Sequence, residues 1–137
     1  MILSKTTKYA IRIMAFMASQ KGELFSATYL HEQLDIPYKY LTRLMTDLTK
    51  SDYLDSIRGR NGGFRIAIDL KKISLANIVE IVEGMEHFNS CVLGFHECSS
   101  ENPCAMHYVW EKNKEELLNM LENTTLSEIS YQEISKF

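Results

Sequence analysis

Arg58-Gly59-Arg60-Asn61-Gly62-Gly63-Phe64-Arg65 links two alternating runs, Tyr53-Leu54-Asp55-Ser56-Ile57 and Phe64-Arg65-Ile66-Ala67-Ile68. The runs favour strand. Between them, Asn61-Gly62-Gly63 offers residues that accept positive φ, so the segment reads as the tip of a tight β-hairpin. Arg58 and Arg60 flank Gly59 there. A narrow strand pair ending in arginines can lie along or enter a minor groove, where the negative potential favours guanidinium. Taken alone, the tip fits a solvated turn equally well, so what precedes it decides the reading.

Upstream, Ser4 can cap a helix running to about Gln20. Its apolar positions Tyr9, Ile13, Phe16 and Met17 recur at helical spacing, and Lys21-Gly22 closes it. Ser26 can cap a second helix, Ala27 to Leu34. Asp35-Ile36-Pro37 then turns the chain into a third helix, from about Pro37 to Lys50. That helix separates into an apolar stripe, Leu41, Leu44, Met45 and Leu48, and a polar face with Lys39, Thr42, Arg43, Thr46 and Lys50. Two short helices joined by a tight turn, the second basic on its outer face, form a helix-turn-helix pattern. Behind it the hairpin reads as a wing. Thr42, Arg43 and Thr46 are candidates to reach base edges, and Tyr38 and Lys39 to contact phosphates. Tyr40 is expected to pack inside.

Downstream, Ile73 to about Glu83 predicts a fourth helix ended by Gly84. Residues 85–102 read as loop, and Asn102-Pro103 as the start of a long helix reaching about Glu122, with Cys104 in its first turn. Met106, Trp110, Asn113, Leu117 and Met120 recur along this helix at coiled-coil-like spacing. So long an apolar face favours a homodimer, which would present two recognition helices to a pseudo-palindromic double-stranded DNA site. A further short helix is expected over Leu126 to Ile134.

The chain's three cysteines, Cys91, Cys98 and Cys104, crowd into the loop region, and His107 follows. Three thiols and an imidazole make a tetrahedral set for a soft metal or an iron–sulphur cluster. Zinc accepts the same donors, yet zinc sites usually carry cysteines two to four residues apart, and such pairs are absent. The spacing therefore favours iron–sulphur. His96 is the alternative to His107 as fourth ligand. A thiol redox enzyme would need a resolving cysteine close to the reactive one. With no nucleotide-binding loop and no triad spacing either, an enzyme is not expected.

Composition agrees. The 137 residues are 45% apolar, as in a globular protein, and no stretch is long and apolar enough to cross a bilayer. Arg12 interrupts the apolar run Ile11 to Ala18, which makes it a mature helix rather than a signal peptide. An odd cysteine count without an export signal points to a reducing cytoplasm. Net charge is −3, but residues 1–65 hold ten Lys/Arg against six Asp/Glu, whereas residues 66–137 hold five against twelve. A basic first half beside an acidic second half suits phosphate contact by one end only.

Together these residues resemble the Rrf-two-type family of bacterial winged-helix transcription regulators, the group of the iron–sulphur cluster regulator IscR and the nitric-oxide-responsive repressor NsrR. The resemblance spans nearly the whole chain. It rests on Ser4 to Arg12, Tyr40-Leu41, Arg58-Gly59-Arg60-Asn61-Gly62-Gly63, the three cysteines and Asn123-Thr124-Thr125-Leu126. It implies a homodimer joined through the long helix, and a cluster held by three cysteines and a variable fourth ligand. Carried onto this chain, the ligands are Cys91, Cys98, Cys104 and His107, the last matching the histidine of a [2Fe–2S] regulator. A [4Fe–4S] cluster is the alternative. The nitric-oxide sensors that use it draw on a helix-1 carboxylate, where this chain has Lys8. Thr42 replaces a glutamate that influences site choice in the cluster regulator, so that operator preference does not carry over.

The expectation is thus a mainly α fold: a winged helix-turn-helix with a two-stranded β wing (1–84), a cluster-binding loop (85–103), and a dimerisation helix with a C-terminal tail (104–137). Its expected function is transcription regulation through an iron–sulphur cluster sensing iron–sulphur status, redox state or nitric oxide. A zinc-stapled or metal-free regulator is the alternative. No membrane partner and no small-molecule substrate are expected.

Overall fold

A computed structural model describes residues 3–20 and 22–129. Among them the chain forms α1 (Lys5–Ser19), α2 (Ala27–Leu34), α3 (Tyr38–Lys50), a hairpin of β1 (Leu54–Ile57) and β2 (Gly63–Ile66), α4 (Leu75–Val82) and α5 (His107–Asn123). Lys21, expected to help close α1, and the tail beyond Ile129 lie outside the described residues.

The serine caps form where expected. The Ser4 hydroxyl accepts from the Thr7 N–H and the Ser26 hydroxyl from the Tyr29 N–H, both at 3.1 Å. Burial of α1 extends beyond the expected stripe: Ala10, Ile11, Met14 and Ala15 are buried beside Ile13, Phe16 and Met17. A helix apolar on most sides needs neighbours on most sides, and α2, α3, α4 and β2 all contact α1. The Arg12 guanidinium emerges between them and donates to the Leu34 carbonyl at 2.5 Å, satisfying the end of α2.

The α2–α3 turn uses Asp35 in the left-handed region (φ 50°) and buries Ile36 completely. Pro37 precedes the first helical residue of α3, and all four residues of the expected stripe are buried. The wing pairs antiparallel, with Leu54 opposite Ile66 and Ile57 opposite Gly63. Phe25 adds a bridge, exchanging two 2.8 Å hydrogen bonds with Phe64 and so tying the segment before α2 to the wing.

Positive φ falls at Gly59 (116°) and Gly63 (153°), not at Asn61 or Gly62 as the sequence suggests. Gly62 is needed for a different reason. A Cβ there would lie 1.9 Å from the Ile57 carbonyl oxygen, so the turn closes only without a side chain.

The later elements depart further. α4 begins at Leu75 behind a Ser74–Asn77 capping box, and Ile73 before it is buried without being helical. Cys104 does not lie in a first helical turn, because α5 begins at His107. The Asn102 side chain and backbone turn back onto Ser99 and Glu97 instead of capping a helix. Of the tail helix expected over Leu126 to Ile134, the described part forms a 3₁₀ turn over Leu126–Glu128, and the rest lies outside the described residues. The segment entering this turn bridges back to the start of α4: Leu75 N–H donates to Thr124 O and Leu126 N–H to Ile73 O, each at 2.9 Å. Leu126 is buried in the main core, so the end of α5 is fastened to the winged-helix body.

The seam on α5 divides. Leu117 packs with Leu118 and Leu121 against Val79 and Phe88. Trp110 is half-buried, and its indole N–H donates to the Ser90 carbonyl at 3.0 Å. Met106, Val109, Asn113 and Met120 stay exposed, spaced 3, 4 and 7 along one helical face. Among the described residues no helix is long and apolar enough to cross a membrane.

Candidate metal centre and DNA-facing surface

The loop after α4 brings its three sulphurs together by two local turns. Gly94, at φ 83°, donates its N–H to the Cys91 carbonyl at 3.0 Å and reverses the chain after the first cysteine. Ser99 and Asn102 exchange backbone hydrogen bonds at 3.3 and 3.1 Å, reversing it again between the second and third. Cys91, Cys98 and Cys104 Sγ atoms all lie within 4.8 Å of one another. Cys91 and Cys104 are 3.6 Å apart, and Cys98 Sγ is 3.4 Å from His107 Nδ1. The three expected cysteine ligands therefore converge, and His107 meets them at Cys98 only, outside the group whose donor atoms all lie within 4.8 Å of one another. His96, the alternative, lines a concavity of about 500 Å³ with Phe95, Glu97, Cys98 and Cys104.

The electrostatics differ between the thiols. Partial burial pulls the Cys91 pKa upward, but N–H groups of Phe95 and Leu93, together with the Cys104 and Cys98 thiols, outweigh it and lower it to about 7. At Cys98 the Cys104 N–H, 3.4 Å from the sulphur, acts to lower the pKa. Burial and the neighbouring sulphurs prevail, and it is raised.

The donor set fits a soft metal centre. A tetrahedral ion with metal–sulphur bonds of about 2.3 Å has sulphur–sulphur edges of roughly 3.8 Å, close to the Cys91–Cys104 separation. Three sulphurs with an imidazole beside one of them equally supply the number of protein ligands a two-iron cluster takes. Two supports have no signature in the sequence. Trp110 holds Ser90, the residue before Cys91. Glu83, at the end of α4, accepts from the Ser4 N–H at 3.2 Å and from the Thr7 hydroxyl, and lies 3.2 Å from His87. This joins the start of α1 to the segment leading into the loop.

The second surface is polar. On α3, Lys39, Arg43 and Thr46 are exposed, Thr42 is half-buried, and Tyr38 is 49% exposed with its ring edge-on to His31. His31 itself is occupied, its Nδ1 2.6 Å from the Ile36 carbonyl. The Thr42 and Thr46 hydroxyls donate to the Lys39 and Thr42 carbonyls, which leaves their methyl groups and oxygen lone pairs for an incoming surface. Tyr40 does not pack inside. It is 47% exposed beside Tyr9 and lines a concavity with Arg43 and Asp47. Arg58 and Arg60 are exposed at the wing tip, with no carboxylate partner among the described residues. Arg65, next along the wing, is 3.7 Å from Asp55 across the strand pair.

Comparison with known proteins agrees with this architecture. The Rrf2 family, described as iron-dependent transcriptional regulators, matches residues 3–132. The HTH-type transcriptional regulator NsrR of Halalkalibacterium halodurans is 30% identical over 139 residues, covering 94% of this chain and 90% of its own. The HTH-type transcriptional regulator IscR of Vibrio vulnificus is 29% identical over 131 residues, covering 94% and 77%. The solved structure of CymR, the global cysteine regulator of B. subtilis, has the same fold: TM-score 0.75, 22% identity, 93% of this chain and 95% of its own covered.

Proposed function

Since the chain belongs to the Rrf2 family of transcriptional regulators, we propose that it is a cytoplasmic homodimer that binds a pseudo-palindromic operator with α3 and the wing, under control of an iron–sulphur cluster on Cys91, Cys98, Cys104 and His107. The observation that carries this reading is the convergence of three sulphurs, each within 4.8 Å of the others, with the His107 imidazole beside Cys98. The His107 imidazole beside Cys98 favours [2Fe–2S]. When bound, such a cluster supplies a centre that responds to iron–sulphur status, oxidants or nitric oxide.

The chain's own residues carry that state to the DNA surface. Holding the four donors fixes the loop between Cys91 and Cys104, and Trp110 ties its entry to α5. The end of α5 is bridged to Ile73 and Leu75, and Glu83 and His87 connect the loop's entry to the cap of α1. Loosening the loop therefore biases the orientation of the winged-helix bodies across the dimer. A coupling of about 1–3 kcal/mol, common for allosteric proteins, is enough to switch occupancy. Tyr38 and Lys39 serve as phosphate contacts, Thr42, Arg43 and Thr46 as base-edge contacts, and Arg58 and Arg60 as the wing's contacts, with Arg60 reaching the minor groove. The exposed face of Met106, Val109, Asn113 and Met120 supplies the dimer contact.

The 3.6 Å sulphur edge also suits one tetrahedral zinc ion, which makes the zinc-stapled regulator the second reading. Protein purified without oxygen separates the two. Visible absorption with iron and acid-labile sulphide supports the cluster, and colourless protein with one zinc per chain supports the staple.

A further inference from the structure

Between the last turn of α3 and the wing lies a groove of about 410 Å³ lined by Thr46, Thr49, Lys50, Ser56, Arg58 and Phe64. Strand alternation explains its floor. Leu54 of β1 is buried, and Ser56, two residues on, shares its face together with Phe64 opposite it in register. Asp55 and Arg65 lie on the other face, paired with each other. The charged residues lining the groove are thus two cations, Lys50 and Arg58, with no carboxylate among them. The Thr46 and Thr49 hydroxyls donate to helix carbonyls, whereas the exposed Ser56 hydroxyl is available. The carbonyl end of α3 opposes an anion with about half a charge, which two full positive charges exceed.

We propose that this groove seats one operator backbone phosphate, clasped by Lys50 and Arg58 from two elements with the Ser56 hydroxyl beneath, and that this fixes the wing against the recognition helix. The occupant is taken as DNA phosphate because the groove joins the two elements assigned to DNA, so the inference rests on the DNA-binding reading above. Lys50 and Ser56 then act as positioning residues, without base preference of their own.

The test uses full-length protein and a duplex selected by the wild type from a random pool, titrated by fluorescence anisotropy over a salt series. Lys50→Gln is expected to weaken binding about tenfold at fixed salt. It should also flatten the log K against log salt slope by about 0.9 per half-site, with sequence preference unchanged. Lys112→Gln on α5 should do neither. Single methylphosphonate substitutions should reveal one position per half-site that weakens Lys50→Gln clearly less than wild type, the remaining loss being that of the Arg58 contact. Parallel salt slopes for wild type and Lys50→Gln, or the lack of any such coupled position, overturn the phosphate seat while leaving operator binding itself standing. A wild type with no salt-dependent duplex binding defeats the broader reading as well.

Discussion

Cys91 Sγ stands 3.6 Å from Cys104 Sγ although the two residues are thirteen positions apart in the chain. Nothing in the main core produces this approach, since all three cysteines lie outside it and are only half-buried. It comes from hydrogen-bonded turns in a polar loop, at Gly94 and between Ser99 and Asn102. Turns of this kind contribute little stability individually. These turns gather the donor group on which the proposed regulation rests.

Replacing one sulphur should therefore remove the bound metal while leaving the fold intact. Cys98→Ser is expected to lose metal or cluster retention and to keep the wild-type far-UV circular dichroism, because half-buried sites away from the core usually alter stability by no more than about 0.5 kcal/mol. Metal analysis and dichroism on the same sample check this. Full metal content in Cys98→Ser would remove it from the ligand set.

The metal-free protein should show an early thiolate. With the Cys91 pKa lowered to about 7, deprotonation is half complete near neutrality, and alkylation at Cys91 rises as pH increases through that value. Cys98, with its pKa raised, should react only at higher pH. Iodoacetamide labelling followed by peptide mass analysis distinguishes the sites. Equal labelling of both near neutral pH would contradict the assignment.

Gly62 sets the wing. The Cβ of Gly62→Ala would meet the Ile57 carbonyl oxygen at 1.9 Å, and backbone on that side has no flexible end to yield. The hairpin must open, at a cost of about 1–3 kcal/mol by analogy with overpacked sites. Operator affinity should fall while α1 to α3 remain folded. A variant with wild-type affinity would show that wing geometry is not used.

Glu83 gives stability a pH dependence. Desolvation acts to raise its pKa, but hydrogen bonds from Ser4 and Thr7, then the charge of His87, outweigh it, and the pKa is lowered below the ordinary 4.5. Between the folded and unfolded values the unfolded chain binds more protons, so stability increases with pH across that window. The contribution is complete above about 4.5 and is lost as pH falls through the folded pKa. Glu83→Gln should remove this part of the acid dependence in chemical denaturation measured between about pH 3 and 6. An identical pH profile for wild type and variant would exclude Glu83 as its source.

How legible the molecule is from its sequence varies with the kind of signal. α1 and α2 are readable because serine caps and apolar spacing agree, α2 falling on its expected residues, and α3 is readable from its apolar stripe behind Pro37. The gathering of the three sulphurs is readable because thiols crowded into a polar loop have no core to fill. Asn102-Pro103 misleads because the residues that cap helices also build turns, and here Asn102 closes a turn on Ser99. Asn61 misleads similarly, since Gly59 and Gly63 take the positive φ. The Trp110–Ser90 and Thr7–Glu83 contacts span 20 and 76 positions, and local periodicity carries no trace of such pairs. The size of Tyr40 points to the interior, whereas Tyr9 covers only part of its ring.

Operator binding by oxygen-protected protein, measured before and after removal of the iron and with the bound metal quantified in each sample, tests the regulatory claim most directly. We expect the isolated protein to contain iron and acid-labile sulphide, and its operator affinity to change by about fivefold or more when they are lost, with Cys98→Ser fixed at the metal-free value. Protein that contains neither iron nor sulphide as isolated, or whose operator affinity is the same with and without them, would contradict it.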